Sequence, residues 1–199
     1  MCQVIREPCP DVRIYLIGPW SRMERDFTRV YKECFGGPPY HEQYEDEWVI
    51  QNVYNKHLGH GCVAVALRRG ELVGLSCAEK MLDDAESSPY RYLIQRQDEL
   101  PFSIESACYI SEVAVTEGMR RKGVGTDLLK VLCNWGMRKG LTHYTARTAA
   151  EGSNSMGIFR SRLHANVLEG EQDVEAFAEE VATASKKRVY VWGMLDTYL

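Results

Sequence analysis

The chain has 199 residues, of which 45% are hydrophobic and 26% are charged, and its formal net charge is −4. This composition predicts one globular domain over residues 1–199 and excludes a disordered chain. No basic arm or tail is present, so we expect no nucleic-acid partner. The seven scattered cysteines form no Cys-x-x-Cys pair, and no apolar run matches a signal peptide or a membrane span. We therefore expect a cytoplasmic protein with reduced thiols, no metal site and no membrane contact.

The first half of the chain predicts a strand, two helices and a hairpin. These elements lie at 12–17, at 21–35 and 44–58, and at 62–67 with 72–77. Ser21 and Glu24 have the spacing of a capping box at the start of the first helix. The last two runs are apolar and are joined by a polar tip, which predicts an antiparallel pair.

The second half predicts an irregular segment followed by alternating strands and helices. The strands lie at 108–115, 142–148 and 188–192, and the helices lie at 123–139, 153–163 and 173–184. Residues 81–106 show no regular period, and we expect an insertion above the sheet with a helix that begins at Ser88-Pro89. The helix at 173–184 is acidic and amphipathic, as expected of a surface element. This order indicates a mixed α/β fold.

The stretch VTEGMRRKGVGT at 115–126 joins a predicted strand to a predicted helix. Arg120, Gly123 and Gly125 fit the pattern Arg/Gln-x-x-Gly-x-Gly/Ala. The first N–H groups of a helix have no partner within the helix and attract anions, and glycines let a phosphate approach the backbone. The pattern predicts a phosphate-binding loop, with a basic turn that only caps the helix as the alternative. A Walker loop is excluded because no Gly-Lys-Ser/Thr triplet is present, and a dinucleotide fold because Leu128 stands where a third glycine is required.

The segment EVAVTEGMRRKGVGTDLL at 112–129 resembles the acetyl-CoA signature of the GNAT superfamily of N-acetyltransferases. The order of elements is similar to that superfamily over most of the chain, whereas 81–106 and 173–184 have no counterpart. The resemblance implies an α/β fold with a mixed, mostly antiparallel central sheet flanked by helices on both faces. It also implies transfer of an acetyl group from acetyl-CoA to a primary amine of a small molecule or peptide, by direct attack in a ternary complex.

The resemblance further implies which residues bind acetyl-CoA. Residues of a strand that splays from its neighbour would meet the pantetheine arm, and loop and helix residues would cradle the pyrophosphate. The strand residues are Val113, Ala114 and Val115, and the loop and helix residues are Arg120, Arg121, Lys122, Gly123, Val124, Gly125 and Thr126. Asn154 and Phe159 would lie near the cofactor on the later helix, with a simple helix cap as the alternative for Asn154.

Acetyl transfer requires a base for the amine proton, and an acid assists the departing thiolate. Glu112, in an otherwise apolar strand, is the first candidate for the base, with a buried structural glutamate as the alternative, and Glu79 is the second candidate. The superfamily often has a tyrosine after the Asn of the later helix, but none follows Asn154. Tyr109 or Tyr144 would then be the acid, or the thiolate would leave unaided. An acetylated cysteine is disfavoured because the candidate cysteines lie in apolar runs.

An acidic and aromatic cluster at 41–47 lies where the superfamily tends to have its acceptor pocket, and it would suit a cationic amine. A solvated helix start is the alternative, because acids are favoured there. His57 and His60 flank Gly59 and are predicted to be turn residues, not metal ligands. Two further points stay open, namely a homodimer and a second function as a non-catalytic acyl-CoA-binding sensor or interaction module.

Overall fold

A computed structural model describes residues 3–9, 11–173 and 187–195, and it describes side chains from residue 11 onward apart from those of residues 84 and 154. Its strands are β1 Gln3–Cys9, β2 Val12–Ile17, β3 Gly61–Arg68, β4 Glu71–Lys80, β5 Ala107–Val115, β6 His143–Ala149, β7 Asn166–Val167, β8 Gln172–Asp173 and β9 Lys187–Met194. They form one sheet in the order β1-β2-β3-β4-β5-β6-β9-β7, with β8 also paired to β9. Neighbours are antiparallel except for β5 and β6, which are parallel.

The β3–β4 hairpin forms the centre of the sheet. Both strands are buried on both faces along most of their length, which explains their nearly continuous apolar sequences. Arg69 and Gly70 join them with positive φ angles of 51° and 87°. Two-residue hairpin loops favour such angles because they match the twist of the strands.

Helices cover one face of the β2–β5 half of the sheet. They are α1 Glu24–Phe35 and a second helical segment made of α2 Asp46–Val49, a π turn at Ile50–Asn55 and α3 Lys56–His60. Phe27 and Tyr54 pack edge to face in this layer, with ring centroids 5.1 Å apart. Both rings belong to an apolar cluster that includes Leu75 and Cys77 of β4.

Residues 81–106, which were predicted to be an insertion and keep that name below, extend this layer over β5, β6 and β9. Its helix α4, Ser88–Ile94, begins as predicted, because the Ser87 hydroxyl accepts the Tyr90 N–H and Pro89 lies in the first turn. Buried residues of the insertion join residues of β5 and β9 in a separate apolar cluster, which includes Met81, Leu93, Phe102, Ile104, Tyr109 and Tyr190.

Two helices cover the opposite face, namely α5 Val124–Arg138 and α6 Asn154–Arg162. Leu128 and Leu132 of α5 are fully buried in a cluster with Ala64 and Ile110 of the sheet. Gly140 follows α5 with a φ angle of +77°, and its N–H bonds the Met137 carbonyl, so it ends the helix as glycine commonly does. The predicted α/β fold, with a mostly antiparallel sheet and helices on both faces, is therefore confirmed.

Some local predictions are wrong or incomplete. The capping box at Ser21 is wrong, because Ser21 closes a turn with Gly18 and α1 begins only at Glu24, with no side-chain cap. The strands β1, β7 and β8 were not predicted. The predicted acidic helix at 173–184 lies outside the described residues except for Asp173, which belongs to β8. Among the described helices, none combines the length and the hydropathy needed to cross a bilayer.

Candidate active site

The strands β5 and β6 pair only as far as Ile110 and Ala146, and then they separate. β6 continues along β9 to Ala149, while β5 continues along β4 to Val115. Within the described residues, the edge of β5 that faces β6 therefore has no ladder bonds over 111–115. A cavity of about 260 Å³ opens beside this gap. Small-ligand pockets usually measure about 300–1,000 Å³. The cavity is slightly smaller than this range, so it has room for the reacting groups of two small molecules but not for a whole large ligand.

A β-bulge at Ser111 determines which side chains face the cavity. Cys77 pairs with Glu112 and Ala78 pairs with Ile110, so Ser111 is an extra residue of β5. The extra residue shifts the alternation of the strand, and Glu112 points to the same face as Tyr109. Without the bulge, Glu112 would point towards the layer of α5.

His57 fixes the bulge from the side of the helices. Its Nδ1 lies 2.7 Å from the Val53 carbonyl and its Nε2 lies 2.8 Å from the Ser111 hydroxyl. Because a carbonyl only accepts, Nδ1 carries the proton, and in the neutral ring Nε2 accepts the Ser111 hydroxyl. Both His57 and His60 belong to α3, so the prediction that they are turn residues is wrong. His57 is 2% exposed, whereas His60 is exposed.

Glu112 is half-buried and lines the cavity. Its carboxyl makes no hydrogen bond with any residue that the structure describes. Burial, together with the charge of Glu42, raises its pKa from 4.5 to about 8, although Arg147 and Lys56 act in the opposite direction. A carboxyl with this pKa gains or loses its proton close to neutral pH, which is the property that a general base or acid needs.

Glu79, the second predicted base, lines the same cavity but has a cationic partner. Its side chain is almost fully buried, with an exposed fraction of 4%, and its Oε1 accepts a bond of 3.1 Å from Lys56 Nζ. An ammonium at hydrogen-bond distance fixes the position of this carboxyl. The geometry therefore favours a supporting role for Glu79 and leaves Glu112 as the better base.

Tyr109 brings a phenol into the cavity, whereas Tyr144 does not. The Tyr109 hydroxyl makes no hydrogen bond within the described part of the chain, and burial raises its pKa to about 12. The Tyr144 hydroxyl donates to the Leu163 carbonyl at 3.1 Å, inside the core. Tyr144 is thereby excluded as the acid. Phe159 lines the cavity from α6, although it is 2% exposed and packs against the Tyr144 ring.

The acidic and aromatic cluster at 41–47 divides between the cavity and the solvent. Glu42 lines the cavity, where its carboxylate accepts from Tyr44 at 2.5 Å and from Arg188 at 3.2 Å. The Arg188 guanidinium also lies 5.2 Å above the Tyr40 ring. Further aromatic lining residues are Tyr31, Phe35 and Trp48. The other acids of the cluster, Glu45, Asp46 and Glu47, are exposed, so the solvated-helix interpretation holds for them alone.

The predicted cofactor loop begins where the splayed part of β5 ends. Arg121 and Gly123 have positive φ angles of 60° and 86°, and Gly123 precedes α5 without a side-chain cap. The first N–H groups of α5 are therefore left for an external acceptor, and a diphosphate fits this backbone. Arg120 and Lys122 lie on the loop and bond the carbonyls of Val115 and Gly118, respectively.

The other predicted cofactor residues lie along β5 and α6. Val113 lines the cavity and Ala114 is buried in the layer of α1. A Cβ atom on Gly125 would lie 3.1 Å from the Ile158 side chain, so a small residue is required where α5 approaches α6. Val124 is buried and Thr126 is half-buried in the first turn of α5. Asn154 opens α6, but its predicted role as a cap belongs to Ser153, whose hydroxyl accepts the Met156 N–H.

The thiols of Cys77, Cys108 and Cys133, the candidates for an acetylated cysteine, are poor nucleophiles. Cys77 and Cys108 are fully buried, and burial holds the pKa of both thiols well above the usual range. Burial also raises the pKa of Cys133 to about 12. The described residues contain no group of three His, Cys, Asp or Glu that could bind a metal ion. Because burial disfavours the thiolate form of these cysteines, an acetylated cysteine is disfavoured on structural grounds too.

Sequence reasoning missed Ser111, Arg147 and Arg188 as lining residues. Each stands in a strand that was predicted correctly, but a strand pattern does not show where a bulge or a gap between strands occurs. A charged side chain inside a central strand, as Arg147 in β6, is the one signal that points to a polar cavity.

Comparisons with known proteins agree with this architecture. A family model described as the acetyltransferase (GNAT) family matches residues 20–164, and no curated protein matches the chain at a significant level. The ribosomal-protein-alanine N-acetyltransferase of Brucella melitensis has 15% identity and a TM-score of 0.64, with 90% of this chain and 98% of that chain covered. The ribosomal-protein-S18-alanine N-acetyltransferase of Escherichia coli has 9% identity and a TM-score of 0.61, with 92% and 94% covered.

A third similar structure, yncA from Salmonella typhimurium, was solved with its cofactor acetyl-CoA. It has 15% identity and a TM-score of 0.63, with 92% of this chain and 95% of that chain covered. Identities this low show the fold alone, but the family model spans most of the chain. The chain therefore belongs to the acetyltransferase (GNAT) family, whose acetyl donor is acetyl-CoA.

Proposed function

We propose that this chain acetylates a primary amine of a small molecule or peptide by direct attack in a ternary complex, with Glu112 as the base and Tyr109 as the acid. One observation carries the proposal. Both side chains point to the same face beside the β5–β6 gap, and neither forms a hydrogen bond within the described residues. Both groups can therefore form their hydrogen bonds with a reactant that enters the cavity, as a general base and a general acid must.

Acetyl-CoA, when bound, supplies an activated acetyl thioester. The N–H groups at the start of α5 and the basic loop at 120–122 would hold its diphosphate. From this loop, the unpaired edge of β5 leads back from Val115 to Glu112, at about 3.3 Å per residue. Backbone groups along this edge would align an extended pantetheine arm, so that its end reaches the cavity.

Glu112 accepts the proton of the incoming ammonium, which leaves a neutral amine as the nucleophile. The nitrogen–carbon bond would form as the carbon–sulfur bond breaks, and the Tyr109 hydroxyl would donate its proton to the departing sulfur. The nitrogen would then release its second proton, which would restore the Tyr109 phenol, and Glu112 would return the first proton to solvent. The pKa of Glu112, about 8, is closer to the pKa of an amine than the pKa of an ordinary carboxyl is. Proton transfer from the ammonium to Glu112 is therefore less unfavourable. Tyr109 would thus replace the tyrosine that is absent after Asn154.

The test is release of CoA thiol from acetyl-CoA in the presence of a panel of primary amines. The wild-type chain should release thiol with at least one amine, and Glu112→Gln should lower kcat/KM about 10²- to 10⁴-fold. Glu105→Gln is the matched control, because Glu105 is exposed on the insertion. Tight acetyl-CoA binding without amine-dependent release would instead support a non-catalytic sensor or interaction module.

A further inference from the structure

Arg147 is the one cavity cation, among the described residues, whose partners are all neutral. Its Nη1 donates to Gln172 Oε1 at 3.2 Å, and the Tyr190 hydroxyl donates to the same oxygen at 2.8 Å. No described carboxylate lies within 4 Å of the Arg147 guanidinium. The other two cations of the cavity each have a carboxylate partner, Lys56 at 3.1 Å and Arg188 at 3.2 Å.

The cavity charges therefore form two pairs and leave two groups. Lys56 balances Glu79, and Arg188 balances Glu42. Arg147 and Glu112 remain, both half-buried and both without an ionic partner at contact distance. A guanidinium that is removed from water without an anion is unfavourable unless a ligand compensates it, and the Glu112 carboxyl loses its proton more easily when a cation lies beside it. A ligand with one positive and one negative group would compensate both.

The surroundings of Arg147 orient its guanidinium towards the cavity. Gln172 of β8 accepts from Arg147 through its amide oxygen and donates through Nε2 to Ser88 of the insertion, at 3.1 Å. The insertion also walls this end of the cavity with Ser87 and Pro89. A planar guanidinium held from behind by neutral groups presents its remaining N–H donors to a carboxylate, which it can bind through two parallel bonds.

We propose that the amine acceptor also carries a carboxylate, and that Arg147 binds this carboxylate while the amine lies at Glu112. The inference rests on the proposed function and makes it narrower, because the acceptor becomes a compact zwitterion and not a polyamine or another purely cationic amine. The insertion then has a role, since it supplies Ser88 to the chain of contacts that orients Arg147.

Matched acceptors test the inference. Thiol release from acetyl-CoA is measured for the common amino acids, for their primary amides, and for the amines that lack the carboxylate; amines with a phosphate in its place form a fourth group. The variants are Arg147→Gln and Arg147→Lys, with Arg138→Gln as the control because Arg138 is exposed on α5. Charge-assisted hydrogen bonds predict a wild-type preference of about 10- to 100-fold in kcat/KM for the carboxylate over its amide.

In Arg147→Gln, the ratio of kcat/KM for the carboxylate-bearing acceptors to that for their amides should fall to about threefold or less. The change should come from lower kcat/KM for the carboxylate-bearing acceptors, while kcat/KM for the amides stays the same. Arg147→Lys should retain part of it, and Arg138→Gln all of it. Affinity for acetyl-CoA and the Tm of Arg147→Gln should stay close to wild type. If Arg147 were only structural, its replacement would lower the Tm and reduce activity on every acceptor by the same factor.

The two proposals fail in different ways. Equal turnover of carboxylates and amides by the wild-type chain would overturn the inference and leave acetyl transfer intact, as would a preference for the phosphate-bearing amines. Turnover of the plain amines alone would also overturn it. Absence of thiol release with every acceptor would overturn the proposed function itself.

Discussion

Gly123 offers a direct test of the anion cradle, because α5 carries a matched glycine at its other end. Gly123 precedes the helix with φ at +86° and Gly140 follows it with φ at +77°. A Cβ atom on Gly123 would meet only Asp127 Oδ2, at 3.9 Å, and one on Gly140 would meet nothing within 4 Å. The same substitution at either position therefore adds similar backbone strain without a steric clash.

The strain follows from the backbone angles. A side chain in the left-handed region costs about 1–2 kcal/mol, which corresponds to roughly 2–8 °C in Tm for a chain of this size. Gly123→Glu also places a carboxylate beside the proposed diphosphate. Two unit charges about 6 Å apart repel by about 3 kcal/mol at an effective dielectric constant of about 20, which weakens binding about 100-fold.

The assay combines calorimetric titration of acetyl-CoA with thermal unfolding for Gly123→Ala, Gly123→Glu and Gly140→Glu. All three variants should lose a similar amount of Tm, but only Gly123→Glu should lose affinity by about two orders of magnitude. The loss should decrease in high salt, because added ions screen the repulsion between exposed charges. If Gly123→Glu bound acetyl-CoA as tightly as Gly140→Glu, the diphosphate would not lie at the start of α5.

The folded wild-type chain favours the protonated Glu112 carboxyl, so wild type loses stability as pH rises from 4.5 to about 8. Glu112→Gln has no such carboxyl, and its stability relative to wild type should therefore increase between about pH 5 and 8. Thermal unfolding across this range checks it, and a constant difference in Tm would be inconsistent with the raised pKa. Tyr109→Phe should lower kcat about 10²-fold with unchanged affinity for acetyl-CoA, and an unchanged kcat would mean that the thiolate leaves unaided. Lys56→Met should destabilise the fold by about 3 kcal/mol, since Glu79 would lose its ammonium partner. The double variant with Glu79→Gln should recover part of that loss in chemical denaturation, whereas additive losses would show that the pair does not interact.

The sequence was sufficient for the backbone of the proposed cofactor loop because every requirement there is local. A strand that ends at Val115, a helix that starts at Val124 and a glycine at the point where the backbone turns left-handed are each visible in the order of residues. The hairpin at 61–80 was predicted for the same reason, from two apolar runs and a turn. Periodicity, caps and turn residues act over a few positions, and no distant part of the chain has to be known.

The cavity could be predicted only in part, because it depends on contacts between distant segments. Glu112 and Glu79 were found as charges in apolar strands, which is a sequence signal. The ion pair with Lys56 distinguishes Glu79 from Glu112. A second ion pair of the cavity joins Glu42 to Arg188, and these residues are 146 positions apart. Nothing local indicates such pairing. Arg147 is also a charged residue inside a strand, but only the structure shows that, unlike Arg188, it has no described carboxylate as a partner.

Ser111 shows how one residue connects the fold to the chemistry. An uninterrupted β5 would place Glu112 on the face of α5, among apolar side chains, where an ionisable carboxyl would be unfavourable and out of reach of an acceptor. The bulge turns Glu112 to the cavity, and His57 holds the bulge through the Ser111 hydroxyl. His57 lies one turn beyond Val53 and two residues after the π turn at Ile50–Asn55, which adds a residue to that helical turn. Two local irregularities in two distant elements, a bulge in a strand and a wide turn in a helix, thus support each other, and the position of the proposed base depends on both.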